Sequence, residues 1–387
     1  MGMDILRLIP APPNWSVPWD TLRHTCLGVF LSQLEDVRQN PTYHGEGDVL
    51  THTKLVCEAL AGLEEFRKLD ERKRQTVFLA ALLHDVGKIC RTQMENGNWI
   101  SPHHAAAGAA MARKLLWLDG GWCGLPEKQA MRETVCTLIR YHSLPPHAVY
   151  QENGTRRLLK VAAEGELLPD FNIQLLCLLS KADILGRMCK DQAELLEAVE
   201  LCRALAEEQE CLTGPRAFPS RHTAFSYFSG KLKVPDYELY DSTWGEVILL
   251  CGLPGTGKDT WIASQYPGMP VVSLDAIRAD LDVSPAGQQK KVADEARNRA
   301  KAMLRAKQPF VWNATSVTAG LRRKQVELFT DYHASVRIIY LETLWNEERR
   351  RNARRSAMVP EHTILKMLGN LTPPQRFEAH RVEWHCV

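Results

Sequence analysis

The 387-residue chain contains no run approaching the eighteen consecutive apolar residues of a membrane helix. Its start, MGMDILRLIPAPPNW, lacks a basic region followed by an apolar one, so neither export nor a membrane partner is expected. Cysteine is present eleven times, but the count is odd and no CxxC pair occurs, which argues against both a disulfide framework and a zinc ribbon. These thiols read as reduced, in a cytoplasmic protein. An excess of one charge is also lacking: 48 Lys+Arg against 46 Asp+Glu leave +2, not the usual balance of a basic nucleic-acid binder. The average conceals an asymmetry, because Asp241 to the end carries 21 basic against 16 acidic residues and the preceding part 27 against 30. A modestly basic C-terminal half suits phosphate-rich ligands without identifying one. Internal repeats and low-complexity tracts are missing too. What the chain does have is length enough for two domains and 45% hydrophobic residues to fill their cores.

Up to about residue 210 the apolar positions recur at helical spacing, as in VFLAALLHDVGKI, HAAAGAAMARKLLWL, AMRETVCTLIRYH and FNIQLLCLLSKADILGRM. No alternation at period two is evident there, and this half is expected to be all-α. Residues 213–245 are rich in Pro, Gly, Ser and aromatics without a clear period, which predicts a connector packed on its neighbours. From residue 246 to 387 short apolar runs, EVILLCG, PVVSL, PFVWNA and VRIIYLE, alternate with helical segments starting near Lys258, Asp275, Ala286, Leu321 and Trp345. That alternation predicts an α/β domain built on a parallel sheet. The expected organisation is therefore multidomain: 1–212 helical, 213–245 connecting, 246–387 α/β.

The segment EVILLCGLPGTGKDTW is a strand, a glycine-rich loop and a helix start. Gly252, Pro254, Gly255, Thr256 and Gly257 form a loop whose backbone N–H groups can turn inward onto phosphate oxygens. Lys258 reaches the terminal phosphates, and the helix N-terminus adds its dipole. A nucleoside triphosphate with Mg2+ is the expected ligand. One position departs from the usual loop. Asp259 stands where a Ser or Thr hydroxyl ordinarily meets magnesium, with Thr260 following; Asp259 either holds a metal-bound water or caps the helix.

At the end of the second strand, VVSLDAIRADL places Asp275 where a group faces the γ-phosphate, with Arg278 one helical turn on. Asp275 is a candidate to accept a proton from an attacking hydroxyl and Arg278 to hold an acceptor phosphate; the alternative is a helix cap beside a solvated arginine. Asn313 and Thr315 lie at the same rim, as a polar pair or as a capped helix start. In WNEERRRNARRSAMVP, Arg351 and Arg355 share a helix face as a lid over a triphosphate requires, unless Glu347 and Glu348 pair locally with a solvated arginine face.

The helical half carries its own constellation. His84-Asp85 lies near the end of an apolar helix, and adjacent His and Asp converge on one metal where the backbone bends; Lys88, one turn later, is then available to a substrate phosphate. His52, His104, His142 and Asp183 each fall on or beside a predicted helix, the way helical metal sites gather ligands. This order of residues resembles the HD phosphohydrolase superfamily from about Gly45 to Arg187, most specifically in HDVGK followed by HAAAG. The resemblance implies that His52, His84, Asp85 and Asp183 bind one divalent transition metal and that His104 and His142 hold a second. His104 is preferred over its neighbour His103 because it stands four residues before Gly108, as the family pattern has it.

Together with GLPGTGKDTW, SLDAIR, RRRNARRSAMVP and the tail PPQRFEAHRVEW, the whole chain resembles the bacterial HD–polynucleotide kinases, bifunctional nucleic-acid end-healing enzymes. That resemblance implies transfer of a γ-phosphate from ATP or another NTP to 5′-OH ends, and removal of 2′-, 3′- or 2′,3′-cyclic phosphate by the HD module. It implies RNA or DNA termini as partners and a nucleic-acid ligase to seal the healed ends. It also implies that Lys258 binds phosphates, Asp275 is general base, Arg278 holds the acceptor phosphate, and Arg351 and Arg355 form the lid. Two other classes stay open: a nucleotide-metabolism enzyme acting on small molecules, and a nucleotide-switched regulator with an HD scaffold.

Overall fold

The computed structural model describes residues 5–283, 287–355 and 357–387. The chain divides into two compact units, one of Met1–Trp122 with Glu127–Arg216, the other of Cys123–Pro126 with Ala217–Val387.

The first unit is helical. Helices α1 (Val49–Gly62) and α2 (Glu71–Leu83) are followed by α3 (His104–Leu118), α4 (Pro126–Tyr141), α5 (Ile173–Leu185) and α6 (Gln192–Glu208). Helices α1, α2 and α5 pack on one another. Each begins on a side chain that accepts an otherwise unsatisfied N–H of its first turn: Asp48 from Thr51 at 2.8 Å, Asp70 from Lys73 at 2.9 Å and Asn172 from Leu175 at 2.8 Å. Every residue of α2 from Thr76 to Leu83 is buried, so its inner end is apolar all round rather than striped. The helix stops at Leu83, and His84–Gly87 turn away before a short helix, Lys88–Arg91. Glycine is required in that turn, because a Cβ on Gly87 would lie 2.0 Å from the His104 carbonyl oxygen and 2.5 Å from the Gly108 nitrogen. The close approach brings the HD turn onto the start of α3.

Within this otherwise helical unit the structure adds a hairpin, β1 (Gln93–Glu95) with β2 (Asn98–Ile100), that the helical periodicity does not anticipate. Its turn is Asn96-Gly97, both at positive φ, the pair that favours a two-residue hairpin turn. Its strands are three residues each, too short for alternation to register.

The second unit starts with α7 (Arg221–Phe228), inside the segment read as lacking a period. Ser220 caps it, accepting from the Thr223 N–H at 3.0 Å, and Thr223–Phe228 are all buried. Eight residues are too few for a helical period to emerge. There follow β3 (Glu246–Cys251), α8 (Lys258–Gln265), β4 (Val271–Ser273), α9 (Leu274–Asp280), α10 (Gln289–Arg305), β5 (Val311–Asn313), α11 (Ala319–Asp331), β6 (Ser335–Glu342), α12 (Trp345–Ala353), α13 (Glu361–Asn370) and β7 (Arg381–Cys386). Ala286, the expected start of a helix, lies outside the described residues; α10 occupies the adjoining stretch.

The five strands form one parallel sheet in the order β4-β5-β3-β6-β7. Four of them are the expected runs. The fifth, β7, pairs along its whole length with β6, from Arg337↔Arg381 to Glu342↔Cys386. Only one face of the sheet needs to be followed to reach the loop: Ile248, Leu250, Val311, Ile339 and Leu341 pack with Ile262 of α8. Burying apolar side chains there, at about 25 cal/mol per Å2, fixes α8 on the sheet and so aims its N-terminus at the carboxyl rim.

Candidate active sites

In the helical unit His52, His84, Asp85 and Asp183 converge. His52 Nε2 lies 3.1 Å from Asp183 Oδ1, 3.3 Å from His84 Nε2 and 3.7 Å from Asp85 Oδ2. His84 Nε2 lies 3.3 Å from Asp85 Oδ2 and 3.8 Å from Asp183 Oδ1. His52, His84 and Asp85 form a group close enough to share a metal, and Asp183 Oδ1 adjoins it beside His52 and His84. The other oxygen of Asp85, Oδ1, turns the opposite way to His104 Nε2 at 3.3 Å, and Asp85, His104 and His142 form a second group close enough to share a metal. One carboxylate thus faces both groups. His104 begins α3, whereas His103 takes the left-handed conformation just outside it.

The tautomers fit a cation. Nδ1 of His84 lies 2.7 Å from the Ala81 carbonyl, that of His104 2.9 Å from Ser101 O, and that of His142 2.8 Å from Ile139 O. Nδ1 of His52 sits 2.9 Å from Glu46 Oε1. An Nδ1–H spent on an oxygen leaves Nε2 with its lone pair, the form that binds metal. Burial, then His84, pushes the His142 imidazole down to about 3, and burial lowers His104 as well. Burial opposes charge on Asp85 and Asp183, yet Lys88 and His84 in one case and Arg187 and His52 in the other hold both carboxyls well below the usual range. Imidazole nitrogens facing ionised, buried carboxylates are a donor set for a divalent ion.

Lys88 Nζ donates to Asp85 Oδ2 at 2.8 Å and to Gln39 Oε1 at 2.7 Å. Asp85, Lys88, His104 and His142 open on a cavity of about 550 Å3 whose walls also include Trp99 and Arg187. Three participants are absent from the sequence reading. The Glu46 side chain is shielded from solvent and holds His52, His44 (2.8 Å) and the Met188 N–H (3.0 Å). Arg187 grips Asp183 through Nη2 at 2.5 Å and Nε at 3.1 Å. Gln39 anchors Lys88. Arg187 stands four residues after Asp183, just past the C-cap of α5, a spacing that suggests such a pair; Glu46 and Gln39 act from loops and leave no periodic signal.

In the α/β unit the loop between β3 and α8 carries Gly252, Gly255 and Gly257 at positive φ. At Gly255 a side chain is also excluded by space, since a Cβ would meet the Glu348 carbonyl oxygen at 2.7 Å. Pro254 and Thr256 are buried in the loop, and the Thr256 hydroxyl donates to Leu253 O at 2.9 Å. Lys258 Nζ donates to Gly252 O at 3.0 Å and Leu253 O at 2.8 Å, over the loop's own carbonyls. Burial, with Arg355 next, pulls its ammonium down to about 8. Thr260 is exposed on the first turn of α8.

The cap of α9 is Ser273, whose Oγ accepts from the Ala276 N–H at 3.3 Å. Asp275 instead meets Arg278 through one oxygen and Arg355 Nη2 through the other, at 2.8 Å. Arg351 Nη1 comes to 3.1 Å from where a Cβ on Gly257 would stand, while its Nε donates to Glu347 at 2.7 Å. The two glutamates of α12 part company. Glu347 pairs with Arg350 and Arg351, but Glu348 does not pair with the arginine face: it is fully buried against the loop, and burial raises it to about 8. Cap of α11 is Thr318, so Asn313 is free of that duty and its amide donates to Asp259 Oδ1 at 2.6 Å.

Residues 49–188 match the family model described as HD domain, and residues 247–374 match the one described as AAA domain. The chain is thus a fusion of an HD domain, a metal-dependent hydrolase type, with a P-loop kinase-like domain. Among the described residues no helix is long and apolar enough to cross a membrane.

Proposed function

We propose that this protein heals nucleic-acid ends, phosphorylating 5′-OH termini with the α/β unit and hydrolysing 2′-, 3′- or 2′,3′-cyclic phosphate with the helical unit. The observation that carries the reading is the meeting of Asp275, Arg278 and Arg355 at the rim beside Lys258, in a chain that also gathers six HD-type donors. A carboxylate gripped by two arginines is fixed in orientation, which suits a residue that orients an attacking hydroxyl and receives its proton as transfer proceeds, and the arginines stand ready for a neighbouring phosphate.

In the kinase step the terminal 5′ oxygen bonds to the γ-phosphorus as the bond to the β-bridging oxygen breaks, giving NDP. The hydroxyl proton passes to Asp275. Lys258 follows the transferred group, Arg278 holds the acceptor phosphate, and Arg351 and Arg355 offset charge that spreads over the phosphoryl oxygens. In the helical unit His52, His84, Asp85 and Asp183 would hold one divalent metal, and His104 and His142, beside Asp85, would hold a second. Bound there, the metals supply Lewis acidity toward water and phosphate. Lys88 and Arg187 line the cavity as cations for the scissile phosphate. RNA or DNA ends are the partners in this reading, with a ligase acting downstream.

The test is transfer of labelled γ-phosphate to an oligonucleotide 5′-OH against transfer to mononucleosides, with release of 3′-phosphate followed on the same oligonucleotide. Phosphorylation and release on the oligonucleotide are expected. Activity confined to mononucleosides and free nucleotides would reassign the protein to nucleotide metabolism.

A further inference from the structure

P-loop enzymes commonly hold the magnesium of the bound triphosphate between a hydroxyl on the residue after the loop lysine and an aspartate at the end of a nearby sheet strand. In this chain the residue after Lys258 is Asp259, and β5, one of the two strands beside β3, ends in Asn313. The register places Asn313 opposite Ser273, two residues before Asp275, so all three occupy one rim of the sheet. Asn313 is buried, and its amide donates to Asp259 Oδ1 at 2.6 Å. Neither side chain caps a helix: α8 has Gly257 at its N-cap position with no side-chain bond, and α11 uses Thr318.

Because Asn313 donates to one oxygen of Asp259, that oxygen is fixed, and the carboxylate is oriented by a neutral partner that contributes no second negative charge. We propose that the two positions have exchanged roles. Asp259 supplies the charge toward the nucleotide's magnesium that the strand end ordinarily supplies, and Asn313 is a positioning residue that orients it through the 2.6 Å hydrogen bond. The chemistry requires one carboxylate at this rim facing the metal. Without one, magnesium is held by phosphate and water alone; a second in place of the Asn313 amide would remove the hydrogen bond that orients Asp259 and repel its carboxylate before the metal arrives. The proposal rests on the kinase reading of the α/β unit and deepens it.

The experiment uses the full-length protein and a fluorescent ATP analogue, with affinity measured in the presence and absence of Mg2+. Wild type is expected to gain about tenfold or more in affinity on adding magnesium, a factor that a single extra carboxylate–metal contact readily supplies. Asp259→Asn loses that gain, and Asn313→Asp, which sets two carboxylates side by side, loses it too. The double variant Asp259→Thr/Asn313→Asp restores the ordinary hydroxyl–carboxylate arrangement and recovers the gain, together with 5′-kinase activity above that of Asp259→Thr alone. Recovery in the double variant counts even if a single variant folds poorly, since neither native residue remains. The exchange is wrong if Asp259→Asn keeps the magnesium-dependent gain, if wild type binds nucleotide with no such gain, or if the double variant is no better than Asp259→Thr. Wild type that binds no nucleotide under either condition defeats the kinase reading and this proposal with it.

Discussion

Glu348 is the side chain in the α/β unit whose burial is hardest to reconcile with charge: it is fully buried beside the phosphate loop, and neither carboxyl oxygen has a hydrogen-bond partner among the described residues. Burial raises it from 4.5 to about 8, against a smaller opposing pull from Lys258. The folded chain therefore keeps a proton that the unfolded chain releases near 4.5. Stability from this group is complete below that value and is lost as pH rises toward 8. Glu348→Gln keeps the shape and removes the titration. Its urea midpoint is expected to gain on wild type steadily from pH 5 to pH 8, at a rate limited to about 1.4 kcal/mol per pH unit. Parallel stability curves for the two proteins over that range would show that the acid is already ionised or solvated. The sequence offered local pairing as the alternative to a lid at this position, because Glu348 sits in an arginine-rich run. One residue earlier, Glu347 does pair. A helix turns adjacent residues about 100° apart, and composition does not say which of two neighbours faces in.

Helices α3 and α4 deliver His104 and His142, and a buried charge cluster joins them. Glu133 of α4 accepts from Arg113 of α3 at 2.7 and 2.9 Å and from Arg132 at 2.7 Å, and Arg132 stacks on Trp117 with its guanidinium 4.3 Å from the ring centre. Both arginines and the glutamate are almost wholly buried, so the pairing costs much desolvation and losing one member costs more. Glu133→Ala is expected to lower stability by about 3–5 kcal/mol, because two buried guanidinium groups lose this carboxylate. Denaturant unfolding measures it, and a loss below about 1 kcal/mol would mean that water or repacking takes the place of the glutamate. At this scale the sequence was most legible where periods ran long. The helical half, the four strands and the loop-to-α8 junction follow from spacing and from glycine. The hairpin β1–β2, helix α7 and strand β7 escaped because three, eight and six residues give the period little room. Strand β7 does alternate, with Arg381, Glu383 and His385 against Val382, Trp384 and Cys386, but an edge strand at a chain end looks like a tail until its partner β6 is known.

The two donor sets belong to different units and share no residue, which bears on how the whole molecule works. His52, His84, Asp85, His104, His142 and Asp183 all lie in the unit of Met1–Trp122 and Glu127–Arg216; Lys258, Asp275, Arg278, Arg351 and Arg355 all lie in the other. The chemistries proposed for them differ as well, metal-assisted attack of water in one and in-line transfer from a triphosphate in the other. Each unit has its own buried core, and the two donor sets have no shared partner through which changes would have to couple. His84→Ala or Asp85→Ala is therefore expected to lower bound metal and cut release of 2′- or 3′-phosphate by orders of magnitude while 5′ phosphorylation stays near wild type. Lys258→Ala is expected to do the converse, because it removes the cation that follows the γ-phosphate and leaves the metal donors untouched. The measurement is a paired assay of both variants on one oligonucleotide with a 5′-OH and a 3′-phosphate, beside metal analysis of the purified proteins. Loss of both activities in each of two variants with wild-type unfolding curves would mean that the sites are composite, and the assignment of one reaction to each unit would fall.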